Sequence, residues 1–241
     1  MTAGASPCDT DPRAARDAIL KRVRAALGRP AGGGGGARSG AEAFVAAHGH
    51  GPRPAMAPDL VARFVQRATM LASTVEPIAA VADIPAAVAR YLHALVLPPA
   101  LAEQHTRAGV CWPEFARLDW RGADLAIESR PTAGGDRLGI TGCFCAIAET
   151  GTLVMTSGAA TPTATALLPD THVAVVRADR IVASMEDAFA LLRRERRTMP
   201  RAVNMISGPS RTGDIEQTIV LGAHGPFRMH MLLLPAGREE A

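Results

Sequence analysis

The sequence predicts an α/β fold, a mostly parallel sheet with helices on both faces, preceded by an N-terminal helix and a glycine-rich linker. Three observations point there. Apolar segments of strand length alternate with segments of helical period from residue 59 onward. One strand candidate, 172–176, is apolar on both faces, as in a strand covered on both sides. The 241 residues, 48% of them hydrophobic, suffice for a sizeable core without disulfides or structural metal.

The elements follow in chain order. Asp11-Pro12-Arg13 opens a helix over 11–27, with Gly28 as its stop. Ile19, Leu20, Val23 and Leu27 form its apolar stripe, and Arg13, Arg16, Lys21, Arg22 and Arg24 cover the rest. Residues 1–28 thus read as a basic amphipathic helix, which packs on its own domain or docks on a partner. Residues 29–58 hold the five-glycine run Gly32 to Gly36 and more Gly, Pro and Ala, and read as a flexible linker. The α/β domain then occupies 59–241. Its first helix, 59–73, carries Leu60, Phe64 and Leu71 on one side. A strand follows at 75–81, and Asp83-Ile84-Pro85 caps a helix reaching about 97. Strands are expected at 109–112, 124–128, 145–149 and 152–156, and a short helix at 163–168. The strand 172–176 leads to Ser184-Met185-Glu186-Asp187, a capping-box start for a helix to about 197. Strands at 203–206 and 227–234 complete the pattern.

Composition excludes several functions. Lys21 is the only lysine, lies in the basic N-terminal segment, and suits neither a Walker-type phosphate loop nor a Schiff base. Aromatics make up 4% of the chain and are scattered, which argues against base stacking. The net charge of +3 is confined to residues 1–30, so the body is neutral and no nucleic-acid partner is expected. No stretch reads as a membrane span or a secretory leader, and a cytoplasmic location is expected. Cys8 and Cys111 stand apart from Cys143-Phe144-Cys145, so no iron–sulfur cluster is expected on this chain. Cys143 and Cys145 read as packed thiols, with a redox pair as the alternative. No G-x-G-x-x-G follows a strand, and the histidines do not fall at metal-ligand spacings.

Three segments carry chemistry. The 32 residues 138–169 contain a single charge, Glu149, followed by Thr150, Gly151 and Thr152. Apolar strands on both sides place this carboxylate at or near the core on a sheet rim, where it serves a ligand or caps a turn. The second segment is Ser207-Gly208-Pro209-Ser210-Arg211-Thr212-Gly213-Asp214-Ile215-Glu216. Read as strand, turn and helix start, it offers backbone N–H groups, the hydroxyls of Ser207, Ser210 and Thr212, and the Arg211 fork to an anion. Asp214 and Glu216 suit a helix first turn or orient Arg211. The third is Gly222-Ala223-His224-Gly225-Pro226, whose His224 is an acid, base or ligand candidate, or a turn residue bonded to backbone.

These three segments, with Gly139-Ile140-Thr141-Gly142 and Ala146-Ile147-Ala148 before Glu149, resemble the lactate utilisation protein C (LutC/YkgG) family and its LUD domain. The likeness is good from about 124 to 234 and looser over 59–120. It implies a fold similar to ribose-5-phosphate isomerases and CoA transferases. It also implies a place in bacterial L-lactate utilisation, beside two iron–sulfur partner proteins that oxidise lactate to pyruvate, with the clusters on those partners. Cys143-Phe144-Cys145 departs from the family pattern, so no family role carries over to these thiols. Two functions are compatible with the resemblance. One is a non-cluster subunit that binds partners and a small carboxylate or phosphate through the three loops. The other is a stand-alone enzyme of the CoA-transferase or sugar-phosphate-isomerase type, with Glu149 as its nucleophile.

Overall fold

A computed structural model describes residues 12–28, 35–47, 49, 51–56, 58–95, 107–196, 198–215, 218–222 and 224–237. The chain divides into two compact units, Met1–Arg53 and Pro54–Ala241.

The first unit holds α1 (Pro12–Ala26) and α2 (Gly35–Ala47). The apolar stripe of α1 is exposed at Ile19, Val23 and Leu27. Helix α2 lies inside the segment that composition reads as linker. Its alanines are strong helix formers, and Arg38 Nε bonds Glu42 Oε1 at 2.9 Å one turn on. Residues 29–34 of the expected linker lie outside the described residues.

The second unit begins with α3 (Leu60–Met70), capped by the Asp59 carboxylate, which accepts from the Ala62 N–H. Phe64 and Ala68 face the core. Next come β1 (Thr74–Pro77) and α4 (Ile84–Ala94), with Pro85 in its first turn. Then follow β2 (Ala108–Cys111), β3 (Ala126–Glu128), β4 (Leu138–Thr141), β5 (Cys145–Ile147) and β6 (Thr152–Thr156). A short α5 (Ala164–Leu167) leads to β7 (Thr171–Arg177). The chain continues through β8 (Ile181–Val182), α6 (Met185–Glu195), β9 (Val203–Ile206), β10 (Arg211–Ile215), β11 (Thr218–Leu221) and β12 (Arg228–Leu234).

Six strands form one sheet in the order β1-β12-β7-β4-β2-β3, every pairing parallel. This is the sheet the alternating pattern predicts, and β7, buried along six of its seven residues, is the strand expected to be covered on both faces. Helix α3 packs on β1, α4 on β12, and α5 on β4 and β7. Tyr91 of α4 stacks on His230 of β12, with ring centroids 4.0 Å apart and planes 8° from parallel. The capping box at Ser184 and Asp187 starts α6 as read from the sequence.

Four strands form a second sheet in the order β8-β5-β6-β9, where β6 runs antiparallel to both its neighbours. This sheet departs from the simple alternation. The two-residue β8 is too short to show a period, and β5 and β6 form a hairpin. The segment after 206 also differs from expectation: it enters the β10–β11 hairpin instead of a helix. Thr212, Ile215, Thr218, Ile219 and Val220 are β-branched, and they pack better on a pleated ribbon than on a helix.

Candidate functional site

The Ala-Glu-Thr-Gly segment is the turn between β5 and β6, closed by the Gly151 N–H donating to the Ile147 carbonyl at 2.9 Å. Gly151 has φ 69°, and a Cβ there would stand 2.5 Å from the Ala68 backbone nitrogen. Only glycine allows both the left-handed conformation and this approach to α3. The Ser-Gly-Pro-Ser segment reaches the same helix. Gly208 has φ 76°, and a Cβ on it would run into the Leu71 carbonyl oxygen. Arg211 Nη2 donates to that carbonyl at 3.4 Å. The C-terminal end of α3 is therefore the shared floor of two loops. The sequence holds no local sign of this, because the contacts are made by backbone.

Hydroxyls tie the loops together. Thr150 Oγ1 lies 2.6 Å from Thr152 Oγ1, and Thr152 Oγ1 lies 2.7 Å from Ser207 Oγ. Backbone ties in the third loop: the Ser210 N–H donates to the Pro226 carbonyl, and the Gly222 N–H to the Ser210 carbonyl, both at 2.9 Å. The three segments separated in sequence thus meet on one rim. That rim lies at the amino-terminal ends of β1, β12 and β7, since residues 71–73 enter β1 and residues 224–227 enter β12.

Within the rim, Glu149 is half-buried rather than in the core. It sits on the turn beyond β5, so the apolar strands flank it without enclosing it. Its N–H donates to the Ala183 carbonyl at 3.0 Å, and its carbonyl accepts from Arg67 Nε at 3.0 Å. Among the described residues its carboxylate has no hydrogen-bond or ion-pair partner. His224 and Arg211 are exposed, and Thr212 is buried. Asp214 lies in β10, and Glu216 lies outside the described residues.

The two thiols sit elsewhere. Burial pushes the Cys145 thiol up to about 11, and burial and then the Cys145 neighbour push Cys143 well above its ordinary range. Both are protonated at neutral pH, which removes the nucleophile that disulfide exchange requires. Among the described residues no group of three or more His, Cys, Asp or Glu is placed to hold a metal ion, and no helix is long and apolar enough to cross a membrane.

A parallel-sheet α/β domain with three loops gathered on one rim is the class this geometry defines. The LUD domain model matches residues 114–234, half of the chain, and the chain belongs to the LUD domain family. It is 34% identical over 127 residues to lactate utilization protein C of Bacillus subtilis, covering 51% of this chain and 53% of that protein. It is 33% identical over 138 residues to lactate utilization protein C of an Exiguobacterium species, covering 56% and 60%. An uncharacterized protein of Neisseria meningitidis is 34% identical over 108 residues, covering 42% and 46%. The chain therefore spans about half the length of the curated relatives it matches. Among solved structures, a DUF162 family protein from Deinococcus radiodurans superposes with a TM-score of 0.51 at 25% identity, covering 75% of this chain and 99% of that one.

Proposed function

We propose that this protein is the non-cluster component of a bacterial L-lactate utilisation system, acting in the cytoplasm beside two iron–sulfur proteins that oxidise lactate to pyruvate. One observation carries the reading: three distant segments, which hold Glu149, Arg211 and His224, converge on a single rim through a hydroxyl chain and backbone bonds. The names of the Bacillus and Exiguobacterium relatives supply the substrate. In this reading the Arg211 guanidinium, exposed and among the described residues held by one long bond to Leu71, takes the lactate carboxylate. Clusters on the partners would accept the electrons, and this chain binds and orients. The test is lactate-dependent dye reduction by this protein alone, by two co-purified iron–sulfur partners, and by the mixture. Activity only in the mixture, lost in Arg211→Gln, is expected. Full activity of the partners without this chain overturns the reading.

The free Glu149 carboxylate favours one second reading, a CoA-transferase-like enzyme. The carboxylate oxygen attacks the acyl carbon of an acyl-CoA, and the carbon–sulfur bond breaks with CoA leaving as thiolate. That thiolate then attacks the glutamyl carbonyl of the resulting anhydride, releasing the free acid and leaving a glutamyl-CoA thioester. Mass spectrometry after incubation with acyl-CoAs detects the adduct in the wild type and not in Glu149→Gln. Its absence in the wild type removes this reading.

A further inference from the structure

The opposite rim of the parallel sheet holds two adjoining cavities. From β2 the chain moves outward to β3, whereas from β4 it moves the other way, toward β7. Connections that leave neighbouring strands in opposite directions open a crevice at the strands' carboxyl ends, the usual ligand position in open α/β sheets. Here the crevice is bounded by residues 112–115 after β2 and residues 142–144 after β4. The Trp112 N–H donates to the Ile140 carbonyl at 3.0 Å and fixes the first loop against β4.

A cavity of about 240 Å³ occupies this position, with Glu114 and Arg177 as its charged groups and Val175 and Leu234 in its apolar wall. A cavity of about 490 Å³ adjoins it, sharing Glu114, Cys143 and Arg177 and adding the carboxylates Asp179 and Glu195 beside Arg180 and Arg196, with Trp112 and Phe144. The Gly142 N–H donates to the Glu114 carboxyl, and a Cβ at 142 would overlap Glu114 Oε1. On the arginine side two of the three guanidinium groups are held by carboxylates of the same wall. Arg180 is held by Glu195 in a two-bond fork, at 2.7 and 2.8 Å, and its Nε donates to the Phe144 carbonyl. The Arg180 and Arg196 guanidinium carbons lie 5.0 and 5.7 Å from the Phe144 ring centre. Arg177 is forked onto Asp179. Arg196 forms no ion pair among the described residues.

We propose that this cleft binds a small organic monocarboxylate with an apolar body, its carboxylate on the arginine side and its body against Val175 and Leu234. Arginine matches the planar carboxylate, and the apolar wall rewards a carbon chain. Partial burial raises the pKa of Glu114, so its carboxyl takes up a proton more readily than an ordinary glutamate. A monocarboxylate can share that proton, whereas a phosphate dianion beside Glu114 is repelled. The proposal does not depend on the reading of the other rim.

Trp112 lines the larger cavity and reports on its occupancy. The experiment titrates the protein with butyrate, 2-hydroxybutyrate and inorganic phosphate, following tryptophan fluorescence and heat. A saturable change with either acid is expected, stronger than with phosphate, with the fluorescence signal lost in Trp112→Phe while the heat remains. Arg196→Gln should weaken binding at least five-fold, and Glu114→Gln, which removes the charge that repels phosphate, should narrow the preference over phosphate. Arg137→Gln, on an exposed pair with Asp170 before β4, should leave it unchanged. Arg196 is exposed, and circular dichroism checks that its variant keeps the fold. No saturable heat with either acid, equal binding of phosphate, or unchanged affinity in Arg196→Gln overturns the proposal.

Discussion

The two rims of the parallel sheet are built by different means. At the amino-terminal rim, loops press their backbone onto the end of α3 through Gly151 and Gly208 and are joined by short hydroxyl contacts. At the carboxyl-terminal rim, long side chains form forks, Arg180 on Glu195 beside the Phe144 ring and Arg177 on Asp179. The first construction leaves no slack, because backbone cannot move aside. The second adapts, because guanidinium and carboxyl groups swing on flexible stems.

Gly151→Val breaks the first rim and gives the largest effect. A branched side chain at φ 69°, with its Cβ 2.5 Å from backbone, combines left-handed strain with overpacking. Urea unfolding should show a loss of about 4 kcal/mol; a loss under about 1 kcal/mol would mean that the turn does not rest on α3.

Between the rims lie two buried histidines on paired strands, His172 in β7 and His230 in β12. Burial drives both down to about 4, against the partial opposition of Glu76 at His230. His172 bonds Thr141 Oγ1 through Nε2 at 2.8 Å, and its Nδ1 has no partner among the described residues. Between the ordinary histidine value and about 4, the unfolded chain binds more protons than the folded one. Stability therefore falls as pH drops through that window and levels off below it. Between pH 8 and 5.5 the loss should be about 2–3 kcal/mol if both histidines contribute. Thr152→Val tests the hydroxyl chain; it removes the buried link between half-buried Thr150 and exposed Ser207 and should cost about 1 kcal/mol, with Thr152→Ser restoring most of it.

Two variants on the second rim should have the smallest effects. Gly142→Ala meets only the tip of Glu114, which can rotate away, so the cost should stay under about 1 kcal/mol despite a clash as close as that at Gly151. Arg180→Gln opens a partly exposed fork and should cost about 1 kcal/mol or less, shrinking in high salt. If either variant were as damaging as Gly151→Val, the contrast between backbone-built and side-chain-built rims would collapse.

The same contrast explains what the sequence discloses. The amino-terminal rim was legible because each of its loops is a contiguous run, Glu149 to Thr152, Ser207 to Thr212 and Gly222 to Pro226. Glycine and hydroxyl residues there mark the turns. The parallel sheet was legible from β7 and the alternation around it. The carboxyl-terminal cleft was not, because Glu114, Gly142, Arg177 and Arg196 come from four separated segments and only the strand order brings them together. Glu149 was placed too deep for a related reason. Apolar neighbours in sequence show that the flanking strands are buried, and say nothing of how far a turn projects beyond them. The β10–β11 hairpin is not fixed by its turn, because a glycine turn after a strand precedes a helix or a second strand equally well. Only the β-branched residues beyond it decide between them.

Tyr91 is the only tyrosine in the chain, and it lies flat on the imidazole of His230. Its absorbance is therefore an optical gauge of a single joint, the seat of α4 on β12. Protonation of the imidazole beneath it, or loosening of that helix, should register in the tyrosine second-derivative spectrum. Trp112, in the chain after β2, lines the larger cavity and reports on a different place. One cuvette then follows the helical layer and the carboxyl-terminal cleft separately, without a label.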